Sequence, residues 1–434
     1  MRLSAGSSEH VQCLINLRLI RPVHHHTSPD TDHGKRLKLL SLDDRYDPPL
    51  TLRNTKQLVE RDKVFALFGY VGTPTVKAVL SLVEKQKIPL IAPLTGAQLL
   101  RQPHRPMVFN MRTSYHMEID RMVDYLVRSG RHRVAVVYQN DAFGQDGLKG
   151  SLKALRRHGL KPVATASVER NSNQTGGAAS MAQNANANAV LVIAAYPSSA
   201  SLSREMRRRG STAQLMNVSF VGTSGLRASL QSHEASGIGV AQVVPFPWNE
   251  RVPVVKEYQK LMRRQQAKPQ FGFISLEGFL AAKMTVEGLR RAGPAPTRQR
   301  FVTALETMRD VDLGGYRLQL GPQDHNGSSF VELTFLGSQR WDDTCERIHQ
   351  RNAQLESMAA CRRCRARDPS ATRGVDGQSS EGQDVRVLFA AGASARHSGR
   401  SVGGVQRHHV RPRRVVPCRA RTGLHRGLAC EWLR

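Results

Sequence analysis

Between positions 14 and 344 the chain has no cysteine; Cys13 precedes that stretch, and Cys345, Cys361, Cys364, Cys418 and Cys430 follow it. A disulfide framework and thiolate chemistry are thereby excluded from the long middle of the sequence. Long hydrophobic runs are also lacking. No segment approaches the roughly 18 consecutive apolar residues that a membrane-spanning helix needs. The best run near the start, from Val11 to Ile20, is ten residues long and is interrupted by Arg18. It makes a poor secretion-signal core, and no small-residue cleavage site follows it, so no signal peptide is visible. Lysine is missing from 343–434, which hold 18 Arg against 8 acidic residues. The motifs of covalent, metal and phosphate chemistry are missing from 34–342 too: there is no GxSxG, HExxH, GxxxxGK[ST] or GxGxxG there. Nothing requires a cofactor or turnover, so the expectation is a protein that is not an enzyme.

What is present divides into three. The formal net charge is +29 over 434 residues. Of this, +10 falls in 343–434, none in 1–33, and +19 is spread thinly over the middle. An excess of this kind suggests nucleic acid or an anionic surface only where it is concentrated. The tail 343–434 shows no sustained period of two or of 3.6, so no amphipathic face can form and a disordered segment is expected. Two readings stay open for it: an Arg-rich arm for nucleic acid, or a stretch translated out of frame. Cys361 and Cys364 form one CxxC with no second pair at zinc-knuckle spacing, so no metal is expected. The head, 1–33, is similarly unpatterned, and its His24-His25-His26 reads as a solvated loop.

The middle alternates short apolar runs with helical stripes. Strands are expected at 37–42, 64–68, 88–92, 134–138, 163–168, 189–195, 218–221 and 240–244. These are mostly continuous Val, Ile, Leu and Phe runs, as in parallel strands buried on both faces. Val76, Val79, Leu80 and Val83 have the i, i+3, i+4, i+7 spacing of a helix, as do Ile119, Met122, Val123 and Leu126. Leu148, Leu152 and Leu155 give a weaker stripe, and longer helices are expected at 254–262 and 274–289. The class is α/β with open parallel sheets, whose ligands bind beyond the carboxyl ends of strands. Three loops qualify there: Gly69 to Thr75, Pro93 to Ala97, and Tyr196 to Ser199. The first two offer hydroxyls and main-chain amides at helix starts, a chemistry suited to a carboxylate. Asp43-Asp44 is unsuited to shared acid–base work, because adjacent strand residues point to opposite faces.

Leu42-Asp43-Asp44, the run Val64 to Gly69, Ile88-Pro89-Leu90-Ile91-Ala92-Pro93, Tyr138 to Gly144 and Gln242-Val243-Val244-Pro245 together resemble periplasmic substrate-binding proteins of branched-chain amino-acid ABC transporters, the Leu/Ile/Val-binding, type I group. The resemblance covers about Gly34 to Trp341. It implies a two-lobed fold of parallel sheets flanked by helices: lobe one at 34–113 and 249–326, lobe two at 114–248 and 327–342. It further implies a monomer in the periplasm that closes on an amino acid or related small carboxylate and is read by a membrane permease. Carried onto this chain, the ligand carboxylate falls to Gly72 and Thr73 with Leu94, Thr95 and Gly96, while Phe143 and Tyr196 cover the ligand. Where the family has an acidic residue for the α-ammonium this chain has Ser224, so either the ligand is not a simple α-amino acid or the partner comes from elsewhere, with Glu277 and Asp141 as candidates. The usual first βα unit is expected to be missing, its place taken by the unpatterned head, as in a truncated or degenerate copy. The rival reading is a ligand-sensing regulator of the same bilobal fold whose basic tail contacts nucleic acid. It lacks a helix-turn-helix, so no specific nucleic-acid partner is expected.

Overall fold

The computed structural model describes residues 2–6, 37–265, 269–337 and 387–388, the first and last of these as backbone. Strands β1 (Arg2–Gly6), β2 (Lys38–Leu42), β3 (Ala66–Phe68), β4 (Leu90–Ile91) and β5 (Val108–Phe109) form one sheet in the order β2-β1-β3-β4-β5, all parallel. Helix α1 (Pro48–Lys56) runs on through a π-helical turn, Gln57–Arg61, and connects β2 to β3. Helix α2 (Thr73–Lys85) connects β3 to β4. In this sheet successive residues point to opposite faces, and both faces are covered. Leu67, Leu90 and Val108 meet Val76, Val79 and Val83 of α2 on one side, while Phe68, Ile91 and Phe109 join a larger core on the other. Burial on both sides is why these strands read as unbroken apolar runs rather than as alternation.

The chain then crosses through α3 (Tyr115–Arg128) into a second sheet of β6 (Val134–Gln139), β7 (Ala164–Val168), β8 (Ala189–Ile193), β9 (Gln214–Asn217) and β10 (Gly239–Gln242). Its crossovers are α4 (Ala142–Arg157), α5 (Gly176–Asn184), α6 (Tyr196–Arg208) and the short α7 (Thr223–Ala228) and α8 (Ser232–Ala235). Alternate residues again serve two cores. Val134, Val136, Leu191 and Ile193 face one, and Ala135, Val137, Val190 and Val192 face the other. Helices α9 (Pro253–Gln265), α10 (Phe273–Ala292) and α11 (Arg298–Glu306) return to the first sheet, where Tyr258, Phe279 and Phe301 pack with Phe68 and Phe109. A small hairpin, β11 (Val311–Asp312) with β12 (Arg317–Leu318), follows. Strand β13 (Glu332–Phe335) then adds antiparallel to β10, and β14 (Val387–Leu388) pairs in parallel with β13. The fold is the two-lobed α/β arrangement expected, with three chain crossings between the sheets: 110–114, 243–252 and 319–331.

A strand, Arg2–Gly6, lies between β2 and β3, with Leu3 paired to both Leu39 and Ala66, where the first βα unit was expected to be missing. Five residues with a charge, a hydroxyl and two small side chains give no apolar run, so pattern reading passed over them. The segment 7–36 lies outside the described residues. So does the tail read as disordered, apart from β14. The strand expected at 218–221 is a 3-10 turn, Ser219–Val221, and the strand itself is β9, a few residues earlier.

Helix α4 meets β6 at backbone distance. A methyl group on Gly144 would lie 1.8 Å from the Gln139 carbonyl oxygen and 2.6 Å from its nitrogen. Gly144→Ala is therefore expected to cost about 3 kcal/mol or more, since main chain cannot give way as a flexible side chain can. Urea unfolding checks this, and a loss below about 1 kcal/mol would contradict the packing.

Candidate functional site

The loops leaving β3 and β4 stay in register beyond their strands. Gly69 N donates to Ile91 O (2.9 Å), Leu94 N to Tyr70 O (2.7 Å) and Gly72 N to Leu94 O (3.2 Å), and Val71 bridges to Leu94. This alignment sets the Thr73 and Thr95 hydroxyls 2.8 Å apart, both fully buried. Thr73 opens α2, whose N-cap, Gly72, has φ 84° and supplies no side-chain cap. That left-handed turn is what lets the helix start beside the strand end. Gly96 is fixed by packing: its carbonyl accepts from Tyr115 N (2.9 Å), and a Cβ on it would meet that nitrogen at 2.5 Å. Gly72, Thr73, Leu94, Thr95 and Gly96 thus form one compact group.

The second sheet brings aromatic residues toward its own strand ends. Asp141 caps α4, accepting from Phe143 N (2.9 Å) and Gly144 N (3.3 Å) through one oxygen and from Gln139 Nε2 (2.6 Å) through the other. Phe143 is fully buried, with Tyr115 at 5.1 Å and Phe220 at 4.8 Å between ring centroids. Phe220 in turn meets Tyr46 of the first lobe at 5.9 Å. Tyr196 and Ser224 form a separate group at α7. The Tyr196 ring lies against Gly225, while the exposed Ser224 hydroxyl lies near Gly272. A groove of about 630 Å³ opens there, lined by Thr223, Ser224, Arg227, Trp248, Arg263 and Phe273 among others. Thr73 and Thr95 do not line it, so this groove and the hydroxyl pair are different places.

Several polar groups at the site were not found by sequence reading. The hydroxyls of Tyr46 and Tyr115, Oε1 of Gln139 and Nη1 of Arg112 are all buried, with Tyr46 facing Gln139 and Tyr115 facing Thr95. Burial pushes both tyrosine hydroxyls above their ordinary pKa; the Asp141 charge adds to the effect at Tyr46, and Arg112 opposes it at Tyr115. Arg112 lies in the first crossing segment and is only 1% exposed. Its Nε stands 3.3 Å from Glu277 of α10, and its Nη2 donates to the Ser219 hydroxyl. Ser219 passes the contact on to Glu118 of α3, donating from its nitrogen (2.7 Å) and its hydroxyl (2.9 Å). Of the two carboxylates considered for a ligand ammonium, Glu277 is paired to Arg112 and Asp141 is occupied as a helix cap. Tyr46 follows the Asp43-Asp44 pair at a strand-to-helix turn, and nothing local marks what packs on it. Arg112 and Glu118 carry no motif.

Comparison with known proteins agrees with the fold. Residues 31–334 match a family model described as periplasmic binding protein. A solved structure of a possible leucine/isoleucine/valine-binding protein from Rhodopirellula baltica superposes with a TM-score of 0.71 at 30% identity, over 79% of this chain and 97% of that one. A substrate-binding periplasmic protein from Ralstonia solanacearum gives 0.71 and 30%, over 78% and 97%. An amino acid binding protein from Pseudomonas aeruginosa is 24% identical over 196 residues, 45% of this chain and 52% of that relative. The match therefore spans about half the length of this curated relative.

Glu118 is fully buried, and desolvation raises its pKa from 4.5 to about 7 against the pull of Arg112. A carboxyl whose folded pKa lies above its unfolded value stabilises the fold in its neutral form. Its contribution is complete below about 4.5 and is lost as pH rises to about 7. Relative to Glu118→Gln, the protein is expected to lose about 3 kcal/mol at most across that window. Denaturation midpoints of the two proteins at several pH values check it, and parallel pH profiles would refute it.

Proposed function

The chain belongs to the periplasmic binding protein family, and on that premise we propose that it is the solute-binding component of an uptake system, taking an amino acid or related small carboxylate between its lobes. Membership places such a protein in the periplasm or outside the cell, among ligand binders rather than enzymes. The lobes are taken as 34–113 with 249–326 and 114–248 with 327–342. Binding would shift an open–closed equilibrium, and the closed form would be read by a membrane permease.

The observation that carries this reading is the buried Thr73–Thr95 hydroxyl pair at the start of α2. Two alcohol groups and the unpaired amides of a helix's first turn suit a carboxylate, and the helix dipole adds attraction without a cation. On the other lobe Phe143 with Phe220 supplies apolar cover, while Tyr196 and Ser224 belong to the separate group at α7. The relatives at 30% identity or less, one a possible leucine/isoleucine/valine-binding protein and one an amino acid binding protein, support the ligand class.

Titration calorimetry of the full chain with amino acids, their amides and small organic acids tests the reading. An amino acid or organic acid with a free carboxylate is expected to bind, and its amide more weakly. Thr73→Val removes one hydrogen bond to a charged group and is expected to weaken binding about 10-fold or more. No heat with any member of the panel, or equal binding by Thr73→Val, would overturn the assignment.

A further inference from the structure

Tyr46 stands where the two lobes meet, and the sequence around it is built to hold it there. Arg45 and Tyr46 both have left-handed backbones, φ 49° and 55°, a conformation that residues with a Cβ rarely take. Each is pinned by the preceding acidic pair. Asp43 Oδ1 accepts from Arg45 N (2.9 Å), and Asp44 Oδ1 accepts from Tyr46 N (3.0 Å). Asp44 is itself 2% exposed and is held by the Thr51 hydroxyl at 3.0 Å. The Asp43-Asp44 pair thus acts as a mount for the side chain that follows.

The Tyr46 ring lies on Gly72, the residue before Thr73, and would be 2.1 Å from a Cβ there. From the other lobe, Phe220 approaches its face, and the Arg170 guanidinium sits 5.4 Å from its centroid. Arg170 Nη1 also donates to the Tyr46 carbonyl at 3.2 Å. One residue of lobe one is therefore grasped by two of lobe two, beside the hydroxyl pair. Around it lie the fully buried Tyr115, whose hydroxyl faces Thr95, and Gln139, whose side chain faces Tyr46 itself, so the hydroxyl pair and the Tyr46 ring share one polar neighbourhood.

We propose that Tyr46 is the specificity-determining residue of the cleft: it fills the space beside Thr73 and Thr95, is latched by Arg170 across the lobes, and restricts the ligand to small side chains. The proposal rests on the solute-binding reading above. A phenol occupies volume that a ligand side chain would otherwise use, and exclusion of this kind discriminates by size in steps of about tenfold per methylene or two.

The test is titration calorimetry of the full chain with glycine, alanine, valine, leucine and phenylalanine. Binding is expected to weaken from alanine to phenylalanine. Tyr46→Ala is expected to raise phenylalanine relative to alanine by about tenfold or more. Tyr46→Phe keeps the ring and should keep the original order. Arg170→Ala frees the ring and should move the order in the same direction as Tyr46→Ala, and it carries the test if that variant does not fold by circular dichroism. A wild-type preference for phenylalanine, or an order unchanged by Tyr46→Ala and Arg170→Ala, overturns this inference and leaves the solute-binding reading standing. No binding by any of these proteins overturns both.

Discussion

Arg112 is the charge on which the relation between the two lobes depends. Moving a guanidinium out of water costs several kcal/mol unless charged and hydrogen-bonding partners surround it. Here the partners come from both sides of the crossing: Glu277 from α10, which packs on the first sheet, and Ser219 with Glu118 from the second lobe. Neither lobe alone completes the set. A second buried guanidinium, Arg101, whose pKa burial and the Arg112 charge lower to about 10, donates to the carbonyls of Arg112 (2.9 Å) and Thr113 (3.0 Å). It also holds Asn326 of the third crossing at 2.5 Å. Tyr316 adds a hydroxyl that reaches Met111 O (3.4 Å) and Val243 O (3.2 Å), so the first and second crossings share one donor. The crossing region is polar and tied together, whereas the sheets it joins are mostly apolar. Rotation of one lobe against the other must preserve this cluster or find it new partners.

The same contrast explains why the candidate site is made of alcohols and amides. Its position is dictated by strand ends, where the first amides of a helix have no intrahelical acceptor. The two loops are aligned by main-chain bonds alone, so the hydroxyl geometry follows from the sheet and needs no charged side chain to maintain it. Formal charges nearby are already committed: Glu277 to Arg112, Asp141 to the amides of α4 and Arg170 to the Tyr46 carbonyl. Such a cleft recognises a ligand by hydrogen-bond geometry and volume more than by ion pairing.

Much of this was legible because the strands are buried on both faces. Every expected strand from 37 to 195 falls on an observed one, most of them shortened, as 64–68 is to Ala66–Phe68, and one lengthened, 134–138 to Val134–Gln139. The Gly293-Pro294 break holds, with Gly293 at φ 82° ending α10. Failures came where burial and polarity part company. Strand β9 has Gln214 and Asn217 at its ends, and Asn217 is fully buried because Ser199 donates to it at 2.5 Å. The stripe Leu148, Leu152, Leu155 misjudged α4: Leu152 is 39% exposed, and the buried face is Phe143, Gly147, Gly150, Ala154 and Leu155. Small residues there admit close packing, so hydrophobic spacing understates the contact. At the site, Thr73 and Thr95 could be read from their loops. Tyr46 and Arg112 could not, since their importance lies in what approaches them from far along the chain.

Asp43-Asp44 shows how one local pattern can be sound chemically and still misdirect. The argument that neighbouring carboxylates on a strand cannot share a proton holds, for Asp43 is exposed and Asp44 is buried against Thr51. What it left out is that both residues follow the end of β2, where an aspartate oxygen can accept from the amide two residues on and fold the chain into a left-handed turn. Two such turns in succession place non-glycine residues where each costs roughly 1 kcal/mol. Strain of this size persists only where neighbours over-determine it. At Tyr46 those neighbours belong to both lobes, so the strain in the first lobe is held in part by residues of the second. The loop and the lobe arrangement are in this way coupled: an opening movement that withdrew Arg170 and Phe220 would leave Tyr46 supported by Asp44 and Gly72 alone.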